Sequence, residues 1–264
     1  MQIELIGCTS AGKSTLTRSI LQSSHDKGPG ILLGEDFVLE QFRLNWIKNY
    51  PLRKLLVNMA GLFASLLTWR NNREFYLFAT QLLFQLPIPR LERFSLLRNV
   101  LKKIGIYEII RFRSTDQQVI LVDEGVLQAA HNLFVHVSVE VKTEELSTFA
   151  TLIPLPDAVI YLRQPESLLI DRTMKRGHRR IPDGTYGKVV RFVKQAVATF
   201  DKLVQHPVVE NRVLVVDGSR DVIMTAKYAS EQDDPIMGLA LKIVRSGFTS
   251  DTTDTVTEEI MYVE

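Results

Sequence analysis

The chain has 264 residues, enough for one large hydrophobic core or one core with a helical elaboration. Its 45% apolar and 23% charged residues are ordinary for a globular protein, and a formal charge of +2 is too small to argue for a nucleic-acid partner. A single cysteine, Cys8, excludes an internal disulfide and fits a reducing, cytoplasmic setting.

Gln2-Ile3-Glu4-Leu5-Ile6 predicts a short apolar strand at the start, which leaves no room for a secretory leader. Gly7-Cys8-Thr9-Ser10-Ala11-Gly12-Lys13-Ser14 follows at once, matching G-x-x-x-x-G-K-[ST], and a helix is expected over 14–24. Glycines let such a loop turn its N–H groups inward onto phosphate oxygens, and the helix N-terminus adds partial positive charge. Gly7, Ser10, Ala11, Gly12, Lys13, Ser14 and Thr15 are therefore the expected contacts of a nucleoside triphosphate tail. Lys13 should reach the β- and γ-phosphates and Ser14 should sit on Mg²⁺. Cys8 reads as a small filler within the loop, although nearby amides and Lys13 could lower its pKa.

After a turn at 27–30, Ile31-Leu32-Leu33-Gly34 suggests a second strand delivering Glu35 and Asp36 at its C-terminal end. The following seventy or so residues are helical in pattern, and Pro51, Asn71-Asn72 and Pro87/Pro89 divide them into about four helices. Leu55–Trp69 lacks any charged residue but is shorter than a membrane span, so it predicts a buried helix, with a dimer or membrane-surface contact as the alternative. Three further apolar runs, 119–122, 158–162 and 213–216, complete five strands separated by helices. This alternation predicts a three-layer α/β domain whose ligands sit beyond the carboxyl ends of its strands. Gly7, Glu35 and Asp36, Asp123 and Glu124, Arg163 and Asp217 would then share one edge. Residues from about 231 lose the pattern, and 249–264 reads as an acidic tail.

Asp123, ending an apolar strand, is placed to hold the Mg²⁺ shell beside Ser14. Glu124 could orient a water, accept a substrate proton or bind a substrate group. Arg172 and Arg176 lie four apart on one helix face, where both can address one polyphosphate. Arg179 and Arg180 follow on a loop, 177–187, able to close over it.

Together with the loop at 7–14, the run from Tyr161 to Arg180 resembles the P-loop nucleoside and nucleotide kinases, thymidylate kinase most closely. The shared features are a strand, a Pro165-Glu166 helix start, and Arg172-x-x-x-Arg176-Gly177 leading into an arginine-bearing lid. The resemblance covers residues 1–230, with 38–112 as a helical acceptor-side insertion and 231–264 as an extension. It implies a P-loop NTPase fold with a mostly parallel five-stranded sheet. It also implies that Arg172 packs on adenine, Arg176 touches phosphate, and Arg179 or Arg180 stabilises the moving phosphoryl group. Asp217-Gly218 would lie near the base.

Two departures matter. Asp123-Glu124-Gly125 stands where the family carries Asp-Arg-Tyr or Glu-Arg-Ser, and Gly34-Glu35-Asp36-Phe37 replaces Arg-Glu-Pro-Gly. Those positions choose the acceptor, so thymidylate is not implied. Arg90, Arg93 and Arg98 could supply acceptor contacts instead, or be scattered surface charges. The expected activity is transfer of the γ-phosphate of Mg·ATP to a small acceptor, a nucleoside or nucleotide, with a sugar, antibiotic or lipid headgroup as alternatives. Asp36 is the first candidate base for a hydroxyl acceptor and Glu124 the second; for a phosphate acceptor Asp36 would be a ligand. Hydrolysis without an acceptor and a nucleotide-binding regulator remain the competing classes. A homodimer through the apolar helices is the expected assembly, if there is one.

Overall fold

The computed structural model describes residues 1–27, 30–115, 118–137, 139–178, 180–181, 183–217, 223–225 and a few positions between 238 and 244. Its centre is a six-stranded sheet of order β2-β3-β1-β4-β5-β6. The strands are β1 (Gln2–Ile6), β2 (Ile31–Leu33), β3 (Val119–Asp123), β4 (Ala158–Arg163), β5 (Val213–Asp217) and β6 (Ile223–Thr225). The first five are mutually parallel, as the run of apolar segments predicts. The sixth, absent from the sequence reading, pairs antiparallel with β5 at the edge.

Both faces of the sheet are covered, which is why β3 and β4 are nearly continuous apolar runs rather than alternating ones, and why Gln2 and Glu4 of β1 are buried. Ile120 and Val122 of β3 pack with Phe37 and Ile110, whereas Val119 and Leu121 join the main core with Leu16 and Ile20. The register Leu5↔Asp123 on one side of β1 and Ile6↔Tyr161 on the other brings the ends of β1, β3 and β4 together at one edge.

Ten helices are described: α1 (Lys13–Lys27), α2 (Gly34–Gln41), α3 (Tyr50–Leu67), α4 (Arg73–Gln85), α5 (Arg90–Arg113), α6 (Ala129–Phe134), α7 (Thr143–Leu152), α8 (Glu166–Arg176), α9 (Tyr186–Val204) and α10 (Pro207–Glu210). The helical block thus begins at Gly34, not 38, because Glu35 and Asp36 start a helix instead of ending a strand. Two acidic residues in that first turn suit the positive end of the helix dipole. Asn49 caps α3 by accepting from the Leu52 N–H at 3.0 Å, with Pro51 in the first turn where its missing N–H costs nothing.

Helices α3 and α5 cross backbone to backbone. A Cβ on Gly105 would lie 1.7 Å from the Gly61 carbonyl oxygen, so only glycine permits this approach. The expectation that 55–69 is a buried helix needs correcting. Val57, Gly61, Ala64 and Ser65 are buried, while Leu55, Met59, Phe63, Leu66 and Leu67 are exposed. No helix among the described residues is long and apolar enough to cross a membrane. Within the predicted extension 231–264, Ala240, Ile243 and Val244 are buried in the main core, while the acidic stretch 249–264 lies outside the described residues.

Candidate functional site

The G-x-x-x-x-G-K-S loop turns sharply out of β1 into α1. Gly7 has φ +149°, and a Cβ there would sit 2.7 Å from the Leu162 carbonyl oxygen of the neighbouring strand. Gly12 and Ser10 also have positive φ. A buried side chain that no motif announced fixes this turn. Gln128 accepts from the Gly7 N–H at 3.1 Å and donates to the Gly7 carbonyl at 3.0 Å. Gln128 is held in turn by Glu4 of β1, whose two carboxylate oxygens accept from the Leu127 and Gln128 N–H groups at 3.1 and 2.9 Å. Burial raises the Glu4 pKa to about 7 against those bonds.

Lys13 is buried, its ammonium donating to the carbonyls of Gly7 and Cys8 at 3.1 Å each and standing 4.0 Å from Glu124. The Ser14 hydroxyl donates to Asp123 Oδ2 at 3.2 Å. Asp123 Oδ1 is buried and has no hydrogen-bond partner among the described residues, and burial is the main cause of the raised Asp123 pKa. A carboxylate oxygen left unsatisfied beside a hydroxyl is the donor set a hard divalent cation such as Mg²⁺ completes, with its other ligands from phosphate and water. Among the described residues no group of three or more His, Cys, Asp or Glu forms an all-protein metal site. Cys8 is buried and its thiol is pushed up to about 12, so it acts as a filler.

Two cavities open at the carboxyl edge of the sheet. The first, about 640 Å³, is lined by the loop from Thr9 to Thr15 together with Glu124, Arg172, Arg176 and His178. Arg172 also reaches the Ser10 carbonyl at 3.4 Å. The second, about 570 Å³, is lined by Glu35 from α2, Tyr50 and Lys54 from α3, Lys102 and Lys103 from α5, and Asn132. The cavities share Ser14, Glu124 and Arg176 as a common wall. Glu124 has φ +63°, an uncommon backbone conformation for a non-glycine residue that aims its carboxylate between Lys103 at 3.9 Å and Lys13. Lys103 foremost, then Lys13, holds the Glu124 carboxyl below its ordinary pKa. Burial lowers the pKa of Lys103, whose ammonium donates to the Glu124 carbonyl.

Of the predicted site residues, the loop, Asp123, Glu124, Arg172 and Arg176 converge on this edge. Three lie elsewhere. Asp36 pairs with Arg53 outside either cavity, and it is Glu35, one position earlier in the same helical turn, that faces the second one. Arg180 itself lines neither cavity: it donates to the carbonyls of His131 and Val135 at 3.1 and 3.2 Å and to Asn132, which borders the second cavity, at 2.9 Å. Unpaired carbonyls at the end of α6 attract a guanidinium, which explains that docking. Asp217 ends β5 beside Arg163 in the sheet register and lines neither cavity. Arg179 and Gly218 lie outside the described residues. Arg90 and Arg93 flank a separate surface pocket with Phe84 and Phe94. Lys54, Lys102 and Lys103 carried no sequence signal, because only the folded helices bring them together.

The fold and this edge define an α/β protein with a mostly parallel sheet and a polar, cation-rich cleft at the switch between β1 and its neighbours. No protein-family model matches the chain, and no curated protein matches it either.

Proposed function

We propose that the chain is an ATP-dependent phosphotransferase of the P-loop kinase type, moving the γ-phosphate of Mg·ATP to a small acceptor, a nucleoside or nucleotide. The observation that carries this reading is the pair of polar cavities meeting at Ser14, Glu124 and Arg176, one on the loop and one between α2, α3 and α5. A donor in the first and an acceptor in the second would face each other across that wall. Lys54, Lys102 and Lys103 favour an acceptor that itself bears a phosphate.

In this reading the triphosphate draws the Lys13 ammonium from the Gly7 and Cys8 carbonyls onto its β- and γ-oxygens. Ser14 and Asp123 would hold Mg²⁺, which when bound would supply charge neutralisation at the phosphates. Arg172 and Arg176 cover the opposite side, Arg176 at the wall where the γ-phosphate passes. The acceptor oxygen forms its bond to the γ-phosphorus as the bond to the β–γ bridging oxygen breaks, and ADP leaves. A phosphate acceptor needs no base. With a hydroxyl acceptor, Glu124, kept ionised by Lys103 and Lys13, takes the proton.

A second reading, hydrolysis without an acceptor, rests on the same Glu124, which could orient a water at that wall. Incubation with γ-labelled ATP and separate pools of nucleosides, nucleotides and sugars distinguishes the two. Label appearing on a nucleotide or nucleoside supports the proposal; acceptor-independent release of inorganic phosphate at the same rate supports hydrolysis and overturns it.

A further inference from the structure

The near-neutral total conceals a polar molecule. Residues 41–113 hold thirteen Lys and Arg against three Asp and Glu, a net of +10, while the rest of the chain holds nineteen against twenty-seven, a net of −8. From Gln41 through Arg73, both included, there are six basic residues and no acidic one. That stretch contains α3, which carries an uncovered apolar stripe.

Leu52, Leu55, Met59, Phe63 and Leu66 are 43–65% exposed. Their spacing of three or four puts them on one side of the helix, opposite the Val57, Gly61, Ala64 and Ser65 face that packs on α5. Trp46 is 75% exposed just before the helix and Trp69 is 39% exposed just after it. Exposed cations flank the stripe at both ends, Arg43 and Lys48 before it, Arg70 and Arg73 behind it. An apolar stripe of this length, bordered by aromatic and basic side chains, is outside what scattered surface hydrophobes explain.

We propose that this face docks on the surface of an anionic lipid bilayer. Charge decides between the possible occupants. A second copy laid on the stripe would bring two sets of unneutralised cations together, which costs energy. Anionic headgroups neutralise the same cations while the boundary below them accepts the leucines and Phe63. Tryptophan suits that boundary, its ring being apolar with one N–H donor. An 18-residue helix packed along one side, and not apolar enough to span, would lie in the plane of the interface. Tyr50 and Lys54 of the second cavity belong to the first turns of α3, so docking would hold that cavity within about 10–12 Å, one helix diameter, of the headgroups.

The test is co-sedimentation of the full chain with vesicles of phosphatidylcholine alone or mixed with phosphatidylglycerol. Tryptophan emission supplies a second readout. The expected result is binding to the mixed vesicles with a blue shift, none to phosphatidylcholine, and release as salt is raised from ~0.1 to ~0.5 M. Arg70→Glu/Arg73→Glu should lower the partition coefficient about 25-fold or more, about fivefold for each cation lost. Phe63→Asp/Leu66→Asp should abolish binding with the melting temperature retained, since both side chains face solvent in the unbound protein. Equal affinity for neutral and anionic vesicles, or no binding to either, overturns the proposal. So does a concentration-dependent dimer in sedimentation velocity, absent in Phe63→Asp/Leu66→Asp, in a protein that ignores vesicles.

Discussion

The most informative single substitution is Gln128→Ala. Gln128 is 4% exposed and makes two hydrogen bonds to Gly7, itself buried. Removing the amide leaves the Gly7 N–H without its acceptor, a loss of about 1–3 kcal/mol for a buried donor. The Gly7 carbonyl keeps its bond from Lys13, so its share is smaller, about 0.5–1.5 kcal/mol. The Glu4 bonds run to the Leu127 and Gln128 backbone and survive the change. The expected destabilisation is therefore about 1.5–4.5 kcal/mol, read as a lower urea midpoint with an unchanged slope. Gln128→Met, which fills the space without the bonds, should lose nearly as much, whereas a pure cavity effect would spare it. Nucleotide affinity should fall in both, because the turn that aims the loop amides is no longer held. Stability within about 0.5 kcal/mol of the parent in Gln128→Ala, the range of an inconsequential surface change, would refute the clamp.

Asp36→Asn should cost less than about 1 kcal/mol, since its pair with Arg53 is partly solvated, and should leave phosphate transfer within about twofold of the parent. Glu124→Gln should instead slow transfer to a hydroxyl acceptor by roughly 10²–10⁴; a hundredfold loss in Asp36→Asn would restore that residue as the base. Gly105→Ala forces α3 and α5 apart and should lower the melting temperature by roughly 6 °C or more, with a raised KM for the acceptor, whose cavity both helices line. His136 is buried and its pKa is lowered to about 4 by burial and Arg180. Unfolded, it takes a proton near 6.5, so its neutral folded form loses stability as pH falls from about 6.5 to 4, by about 2–3 kcal/mol. His136→Leu should flatten that acid limb in urea titrations across the window; an unchanged slope would show that other groups set it.

Most of the sheet could be read from the chain because β2, β3 and β5 are continuous apolar runs ended by Gly or Asp, the pattern of two-sided burial, while β1 was marked by the glycine loop that follows it despite Gln2 and the buried Glu4. The loop was legible for the same reason its turn is demanding: glycine stands where β4 leaves no room for a Cβ. The lining of the second cavity was not. Lys54 and Lys102 are far apart in sequence, and nothing local signals that Gly61 and Gly105 will bring their helices into contact. The choice of Asp36 over Glu35 failed on geometry, because one step along a helix turns a side chain by about 100° where a strand end was expected. Arg180 misled through its position next to the arginine helix; the free carbonyls of α6 compete for it, and only tertiary contact reveals them.

The central claim is that a triphosphate lies between the Gly7–Thr15 loop and the Arg172/Arg176 face of α8. Calorimetric titration of Mg·ATP into the parent, Lys13→Ala and Arg172→Ala/Arg176→Ala measures it directly. Saturable, Mg²⁺-dependent binding that weakens at least about tenfold in each variant, a loss of about 1.4 kcal/mol, is the predicted result. Equal affinity in all three proteins, or no binding by the parent, would contradict it.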